Sequence, residues 1–232
     1  MKRILIVEDE AAIREFEAIN LKRVGYETVE AGSGEEALDI FDSDSKGFDI
    51  ALLDVMMPGM DGFTLCKELR SRSGSIGIIM LTAKSQEMDK ISGLMIGADD
   101  YVTKPFSPTE LLARVDSLYR RVSAANVSAK PTSELLSGEF VLDLRRRSLS
   151  KGGREIELTQ VEFQIMEYFF QNPDTPISRR DILVKVWGES YCGEEKIVDV
   201  NIRRLRMKIE TDPSDPKHII TVWGKGYQWE SR

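Results

Sequence analysis

The sequence predicts an α/β fold for the first half of the chain and a smaller α+β fold for the second. Three observations carry this. Over residues 3–122, short β-rich apolar runs alternate with longer helical patterns, which implies a parallel sheet covered on both faces. The central runs are apolar without alternation, as doubly buried strands should be. Beyond a small polar stretch the pattern changes to short strands, three helices and a closing hairpin.

In order, the predicted strands of the first half are Ile4–Val7, Thr28–Ala31, Ile50–Leu53, Ile76–Leu81 and Tyr101–Thr103. Helical patterns fall near 11–24, 35–44, 62–72, 86–96 and 108–121, giving five strand–helix units. "AGSGEEA" (31–37) lacks the Gly-Lys-Ser/Thr ending of a phosphate loop and reads as a turn with a helix start. "VSAANVSAKPTSE" (122–134) is small, polar and Pro-containing, as a linker is. The units are therefore 1–122, a linker at 123–134, and 135–232. In the last, strands are expected at 139–142, 148–150 and 155–158, with "KGGRE" as the turn before the third. Helices follow at 160–171, 179–187 and 195–209. Thr159 with Glu162 makes a capping box for the first. "IITVWGKGYQWE" closes the chain with two β-rich runs around Gly224-Lys-Gly226, a hairpin signal.

Composition narrows the chemistry. The 232 residues are 41% hydrophobic and 31% charged, ordinary for a globular protein. No apolar run reaches the roughly 18 residues of a membrane span, and "MKRILIVEDE" is too short and acidic for a signal peptide. Two distant cysteines and one histidine count against a zinc site and a His-based triad, and the thiols suit a reducing cytoplasm. Residues 1–125 carry 15 Lys+Arg against 22 Asp+Glu, a net −7, and the remainder 17 against 17. An acidic half and a neutral half suggest different work.

Ligands of open parallel sheets bind at the carboxyl ends of the strands. Strand one ends in Glu8-Asp9, strand three in Asp54, strand four in Thr82 and strand five in Lys104-Pro105. Alone, each has a plain reading: a turn residue, a first-turn acid, a loop cap, a surface charge. Together they bring three carboxylates, a hydroxyl and an ammonium to one edge. Crowded carboxylates need raised pKa values or a bound cation. An all-oxygen donor set selects a hard ion, and Mg2+ fits best. An ionised Asp54 could then attack phosphorus without a general base, with Lys104 and the ion neutralising the transferring group and Thr82 donating a hydrogen bond to it.

"ILIVEDE", "LLDVMMPGMDG", "IIMLTA" and "GADDYVTKPF" over residues 2–122 resemble the receiver domain of bacterial two-component response regulators. The resemblance implies a flavodoxin-like sheet of order 2-1-3-4-5 and phosphorylation of Asp54 by a histidine kinase. It also implies Mg2+ held by Asp9, Asp54 and the Met56 carbonyl, with Glu8 acting through water. Thr82 and Tyr101 would be the switch pair, and a cis Lys104–Pro105 bond would aim Lys104 at the phosphoryl oxygens.

In the second half, "EKIVDVNIRRLRMKIE" is two-faced. Ile197, Val200, Leu205 and Ile209 follow helical core spacing, with Ile202 partly so, while Lys196, Arg203, Arg204, Arg206 and Lys208 load the rest. Coming after the helix at 179–187, it suits a helix-turn-helix reader placing its second helix in the major groove. "LTQVEFQIMEYF", "SRRDILVKVWG", "VDVNIRRLRMKIE" and "TVWGKGYQW" over 135–230 resemble the winged-helix effector domain of the OmpR/PhoB subfamily. That resemblance makes 195–209 the recognition helix. Lys196, Arg203, Arg204 and Arg206 become its DNA-contact candidates, Thr221 a backbone contact, and Gly188–Gly193 a contact for RNA polymerase. Two positions depart from the pattern. Trp223 stands where the family has Arg, so it cannot supply the charge that suits a narrow minor groove, which leaves it to stack or to pack. Asn201 stands where His is frequent.

In this subfamily receivers pair through the fourth helix, fifth strand and fifth helix. Retained here are Lys90 with Glu110 and Asp100 with Arg114, around Ile91, Leu94 and Leu112, while Asp99 would face Asp116 without a basic partner. Surface pairs of this kind contribute about 0–1 kcal/mol each and act on register. The resemblance thus implies a phosphorylated homodimer on tandem half-sites about one helical turn apart. It also implies a phosphoryl acceptor rather than a turnover enzyme. One alternative is regulation of DNA binding without phosphorylation. Another is a Mg2+-dependent phosphohydrolase, disfavoured because Met56 stands where such enzymes carry a second Asp.

Overall fold

The computed structural model describes residues 2–83, 96–123, 134–189, 191 and 194–231. The helix expected near 86–96, with Lys90, Ile91 and Leu94, lies outside the described residues, as do 124–133 of the linker. Contacts divide the chain into two compact units, Met1–Val122 and Ser123–Arg232.

The first unit runs β1 (Arg3–Val7), α1 (Ala11–Arg23), β2 (Glu27–Ala31), α2 (Gly34–Ser43), β3 (Ile50–Asp54), α3 (Gly62–Arg72), β4 (Gly77–Ala83), β5 (Asp100–Lys104) and α4 (Pro108–Ser123). The five strands form one parallel sheet of order β2-β1-β3-β4-β5, the order expected. β1 and β3 are buried along their whole length; Arg3 at the start of β1 pairs with Glu27 and Asp44, and the side chains from Ile4 to Val7 and from Ile50 to Leu53 are apolar. Ile4, Ile6, Ile50, Leu52, Ile79, Leu81 and Val102 pack with Leu111, Val115 and Leu118 of α4. Each such side chain contributes roughly 1.5–3 kcal/mol on burial. Side-chain caps set the helix starts: the Asp61 carboxylate accepts from Thr64 N at 2.7 Å, and Ser33 Oγ accepts from Glu36 N at 3.2 Å. Strand order reverses between β1 and β3, so the crevice of this sheet opens at Glu8, Asp9 and Asp54.

The second unit has β6 (Glu134–Ser137), β7 (Phe140–Asp143), β8 (Ser148–Lys151) and β9 (Arg154–Ile156) as an antiparallel meander. Then come α5 (Gln160–Gln171), α6 (Arg179–Trp187), α7 (Lys196–Ile209) and the hairpin of β10 (Ile219–Val222) with β11 (Gly226–Trp229). β6 is one strand more than the sequence reading expected. Its residues are polar on both flanks, and Gly138, at φ +56°, closes the turn that pairs it with β7. The capping box at Thr159 and Glu162 is present. Phe140, Phe170 and Trp229 build the core with the only histidine, His218, which stacks on Trp229 at 5.5 Å. Among the described residues no helix is long and apolar enough to cross a membrane.

Candidate functional site

The strand ends bring the expected residues together. Glu8 and Asp54 are buried and Asp9 half-buried. One carboxylate oxygen of each lies within 4.8 Å of the others. Lys104 Nζ bridges two of them, at 2.5 Å from Glu8 Oε2 and 3.0 Å from Asp54 Oδ1. The Lys104–Pro105 bond is cis. Thr82 is buried one residue before the end of β4, and Tyr101 is buried in β5. Met56 stands two residues after Asp54 and has an exposed side chain.

The electrostatics follow from burial. Desolvation pushes the Glu8 carboxyl up and Asp54 adds to this, while the hydrogen bond from Lys104 pulls it down. For Lys104, burial opposes the ammonium, but Glu8 and Asp54 outweigh it and the pKa rises. Three carboxylates against one ammonium leave the edge acidic, and an all-oxygen donor set within 4.8 Å has the chemistry to take a hard divalent ion. Close packing holds Asp54 in place. A Cβ on Gly62, at the start of α3, would sit 2.1 Å from the Asp54 carbonyl oxygen, so α3 can lie against the strand end only with glycine there.

Beside the site, Ala12, Ile13, Phe16, Lys104, Pro105 and Phe106 line an open hollow of about 530 Å³. Phe16 and Ile19 are exposed on α1. Sequence reasoning missed a fourth acid. Glu17 on α1 is fully buried, and neither carboxylate oxygen has a hydrogen-bond partner among the described residues. Burial, then the charges of Glu8 and Asp54, push it up to about 8 against the pull of Lys104. The signal was available: Ile13, Glu17 and Leu21 repeat every four residues and share the inner face of α1.

At the expected pairing face, Asp100 and Arg114 are both buried and bond within the chain at 3.2 Å, and Arg114 also reaches Glu110 at 3.2 Å. Leu112 packs partly against the sheet core. The expectation that Asp99 faces Asp116 is wrong. Asp99 is fully buried, pairs with Arg70 and accepts from Ile78 N at 2.8 Å. Asp116 accepts from the Tyr26 hydroxyl. A solvent-inaccessible carboxylate between a guanidinium and an amide is a fold clamp, not an interface charge.

In the second unit α7 is two-faced, but three of its candidates point inward or sideways. Arg204 is buried and pairs through Nε with Glu162 Oε1 at 3.0 Å, while Lys208 Nζ takes Glu162 Oε2 at 2.7 Å. Glu162 has no exposure, so its charge requires those cations; both hold its carboxyl below the usual range although burial opposes them. Asn201 is fully buried and donates Nδ2 to the Ile197 carbonyl at 2.8 Å. Neither Arg204 nor Asn201 is a DNA contact in this arrangement. Arg206 is half-buried and donates to the Ile219 carbonyl at 2.8 Å and to Thr221 Oγ1 at 2.9 Å. It fastens the hairpin to α7, and Thr221 is its acceptor. Lys196 and Arg203 are exposed and, seven residues or about two turns apart, share one face of the helix. Asp199, between them, accepts from Arg179 Nε at 2.6 Å and from the Tyr227 hydroxyl at 2.7 Å. Trp223 is 90% exposed. Of the loop expected to meet polymerase, Ser190, Cys192 and Gly193 lie outside the described residues, and Tyr191 is buried beside Trp187.

Comparison with known proteins agrees with both halves. Residues 4–116 match the family described as Response regulator receiver domain. Residues 153–229 match Transcriptional regulatory protein, C terminal. The chain is 42% identical to the sensory transduction protein RegX3 of Mycolicibacterium smegmatis, over 99% of this chain and 100% of that one. It is 44% identical to the probable transcriptional regulator ycf27 of Guillardia theta, over 99% and 91%. Among solved structures it resembles DrrB of Thermotoga maritima, described as an OmpR/PhoB homologue, with TM-score 0.51, 30% identity and 99% of each chain covered.

Proposed function

This chain belongs to the OmpR/PhoB-type response regulators of two-component systems and controls transcription, and from that premise we propose that Asp54 is its phosphoryl acceptor and α7 its DNA reader. The observation that supports the first part is the set of carboxylates of Glu8, Asp9 and Asp54 gathered within 4.8 Å beside Lys104.

Asp54 attacks the phosphorus of a phosphohistidine on the kinase. A P–O bond forms to the carboxylate as the P–N bond breaks, and the imidazole leaves with its electron pair. Mg2+ is the ion that suits these donors, and when bound it would supply charge neutralisation at the transferring group. Asp9, Asp54 and the Met56 carbonyl would hold it, with Glu8 acting through water. Lys104, already held between two carboxylates, moves its ammonium onto the phosphoryl oxygens as Asp54 loses its own negative oxygen to the new bond. The Thr82 hydroxyl turns to the same group, and Tyr101 fills the space behind it. The hollow lined by Ile13, Phe16, Pro105 and Phe106 borders Lys104, so a donor protein that reaches Asp54 must cover it. The chain is an acceptor reset between signals rather than a turnover enzyme, and it works in the cytoplasm.

Phosphorylation then pairs receivers through the face that carries Glu110 and Leu112, with the buried Asp100–Arg114 pair bracing it from within the chain. Pairing raises the effective concentration of two readers on tandem half-sites and recruits RNA polymerase. On each reader Lys196 and Arg203 carry the direct contacts. The test is DNA affinity of the full chain, using a duplex recovered by that chain from a random-sequence pool. Acetyl phosphate with Mg2+ tightens binding by at least about tenfold, and Asp54→Asn removes that gain. An equal gain in the variant contradicts the proposal.

A further inference from the structure

We infer that Glu35, on α2, is a positioning residue for the divalent ion: it holds the loop that carries the Met56 carbonyl. This rests on the reading that Mg2+ binds at Asp9, Asp54 and Met56. The loop runs from Asp54 at the end of β3 to Gly62 at the start of α3. Its ends are tied to the sheet. Val55 N donates to the Leu81 carbonyl of β4 at 2.9 Å, and Gly62 N donates to the Val55 carbonyl at 3.2 Å. Between those ties Met56, Pro58 and Gly59 are exposed, and Pro58 has no N–H to give. Burial therefore does little to fix the middle of the loop, and an anchor from another element has a job to do there.

Glu35 supplies that anchor. Its Oε1 accepts from Met60 N at 3.0 Å. The other acid in the first turn of α2, Glu36, accepts from Gly32 N at 2.7 Å and so serves the start of its own helix. Glu35 instead leaves its helix to bond a loop twenty-five residues away in the chain. An acid that only offset the helix dipole would need no such partner. Helix and loop are also in close contact: a Cβ on Gly34 would lie 2.8 Å from Met60 Cβ and 3.0 Å from the Met60 carbonyl oxygen. Gly59, at φ +77°, turns the loop past the carboxylate, and a Cβ there would lie 3.0 Å from Glu35 Oε1. Glu35 is not one of the carboxylates gathered at the strand ends, so it acts on the ion through the Met60 amide and the four residues of chain back to Met56. Magnesium demands near-octahedral geometry with oxygens at about 2.1 Å, and a carbonyl on an unfixed loop meets that demand poorly. Groups that orient a ligand without touching the metal commonly set its affinity.

The test titrates magnesium chloride calorimetrically into the metal-free full-length chain and follows amide exchange at Met60 by nuclear magnetic resonance. Glu35→Ala should weaken Mg2+ binding about fivefold and speed exchange at the Met60 amide by a similar factor. Glu35→Gln keeps an oxygen that accepts from the same amide but carries no charge, so its Mg2+ affinity should stay within about twofold of the wild type. Labelling of Glu35→Ala by acetyl phosphate should need more Mg2+ to reach half its maximal rate, with the rate at saturating ion unchanged. The inference is overturned if Glu35→Ala binds Mg2+ as the wild type does. It is also overturned if Glu35→Gln loses as much affinity as Glu35→Ala, which would make Glu35 a source of negative potential and not an anchor. A wild type that binds no Mg2+ would overturn both the inference and the reading it rests on. A wild type that binds the ion, beside a Glu35→Ala that binds it equally, would remove Glu35 and leave that reading standing.

Discussion

Arg204→Ala should cost the effector unit roughly 3 kcal/mol of stability, with no effect on DNA reading beyond what unfolding causes. The reason is Glu162. Its carboxylate has no exposure, one oxygen faces Arg204 Nε at 3.0 Å and the other Lys208 Nζ at 2.7 Å. Removing Arg204 leaves that charge half-compensated in a medium where ions are strongly disfavoured. The same carboxylate accepts from Thr159 N at 2.8 Å, so the loss reaches the start of α5 as well as the seating of α7. For a unit of about 100 residues, 3 kcal/mol lowers the melting temperature by more than about 10 °C. Near-ultraviolet circular dichroism of the buried Trp187 and Trp229 follows that transition. A variant that melts like the wild type yet binds DNA weakly would return Arg204 to the DNA interface.

Glu17→Leu should have the opposite sign. The Glu17 carboxyl is buried without a hydrogen-bond partner among the described residues and is pushed up to about 8 from an ordinary 4.5. The folded state holds this proton more tightly than the unfolded chain does. Its contribution to stability is therefore complete below the ordinary carboxyl range and is lost as pH rises towards 8. At pH 7 the penalty amounts to roughly 3 kcal/mol. Leucine removes the buried carboxyl and fills similar space, so the receiver unit should gain stability of that order at pH 7 and less at pH 5. Urea unfolding at both pH values, in metal-free buffer, measures it. A variant whose gain is the same at both pH values would show that Glu17 is not ionised at the cost described.

The receiver half was legible because its chemistry sits at strand ends. A buried strand announces itself as an apolar run, and the residue at which the run stops lies on the rim whatever its side chain does. Glu8, Asp9, Asp54 and Lys104 were placed in this way, and strand order followed from the resemblance. Helix faces are less informative. In α7 the core spacing separated Ile197 and Leu205 from the polar residues, yet nothing local told Arg203 from Arg204. The difference lies in Glu162, more than forty residues away in the chain and buried by packing that periodicity does not encode. Asp99 misled for the same reason, since its partner Arg70 arrives from α3. Glu17 was overlooked because an acid on an inner helical position breaks the pattern that would have marked the position as inner. β6 was left unassigned between the linker and the strand expected at 139–142, because its alternation is weak and its exposed Leu136 resembles no core strand.

The central claim is that the strand-end carboxylates make Asp54 a phosphoryl acceptor, and intact-mass spectrometry of the full chain after incubation with acetyl phosphate tests it most directly. With Mg2+ present, one phosphoryl group should be added to the wild type. None should be added to Asp54→Asn, nor to the wild type when the ion is chelated. Equal labelling of the two proteins, or labelling that persists under chelation, would contradict it.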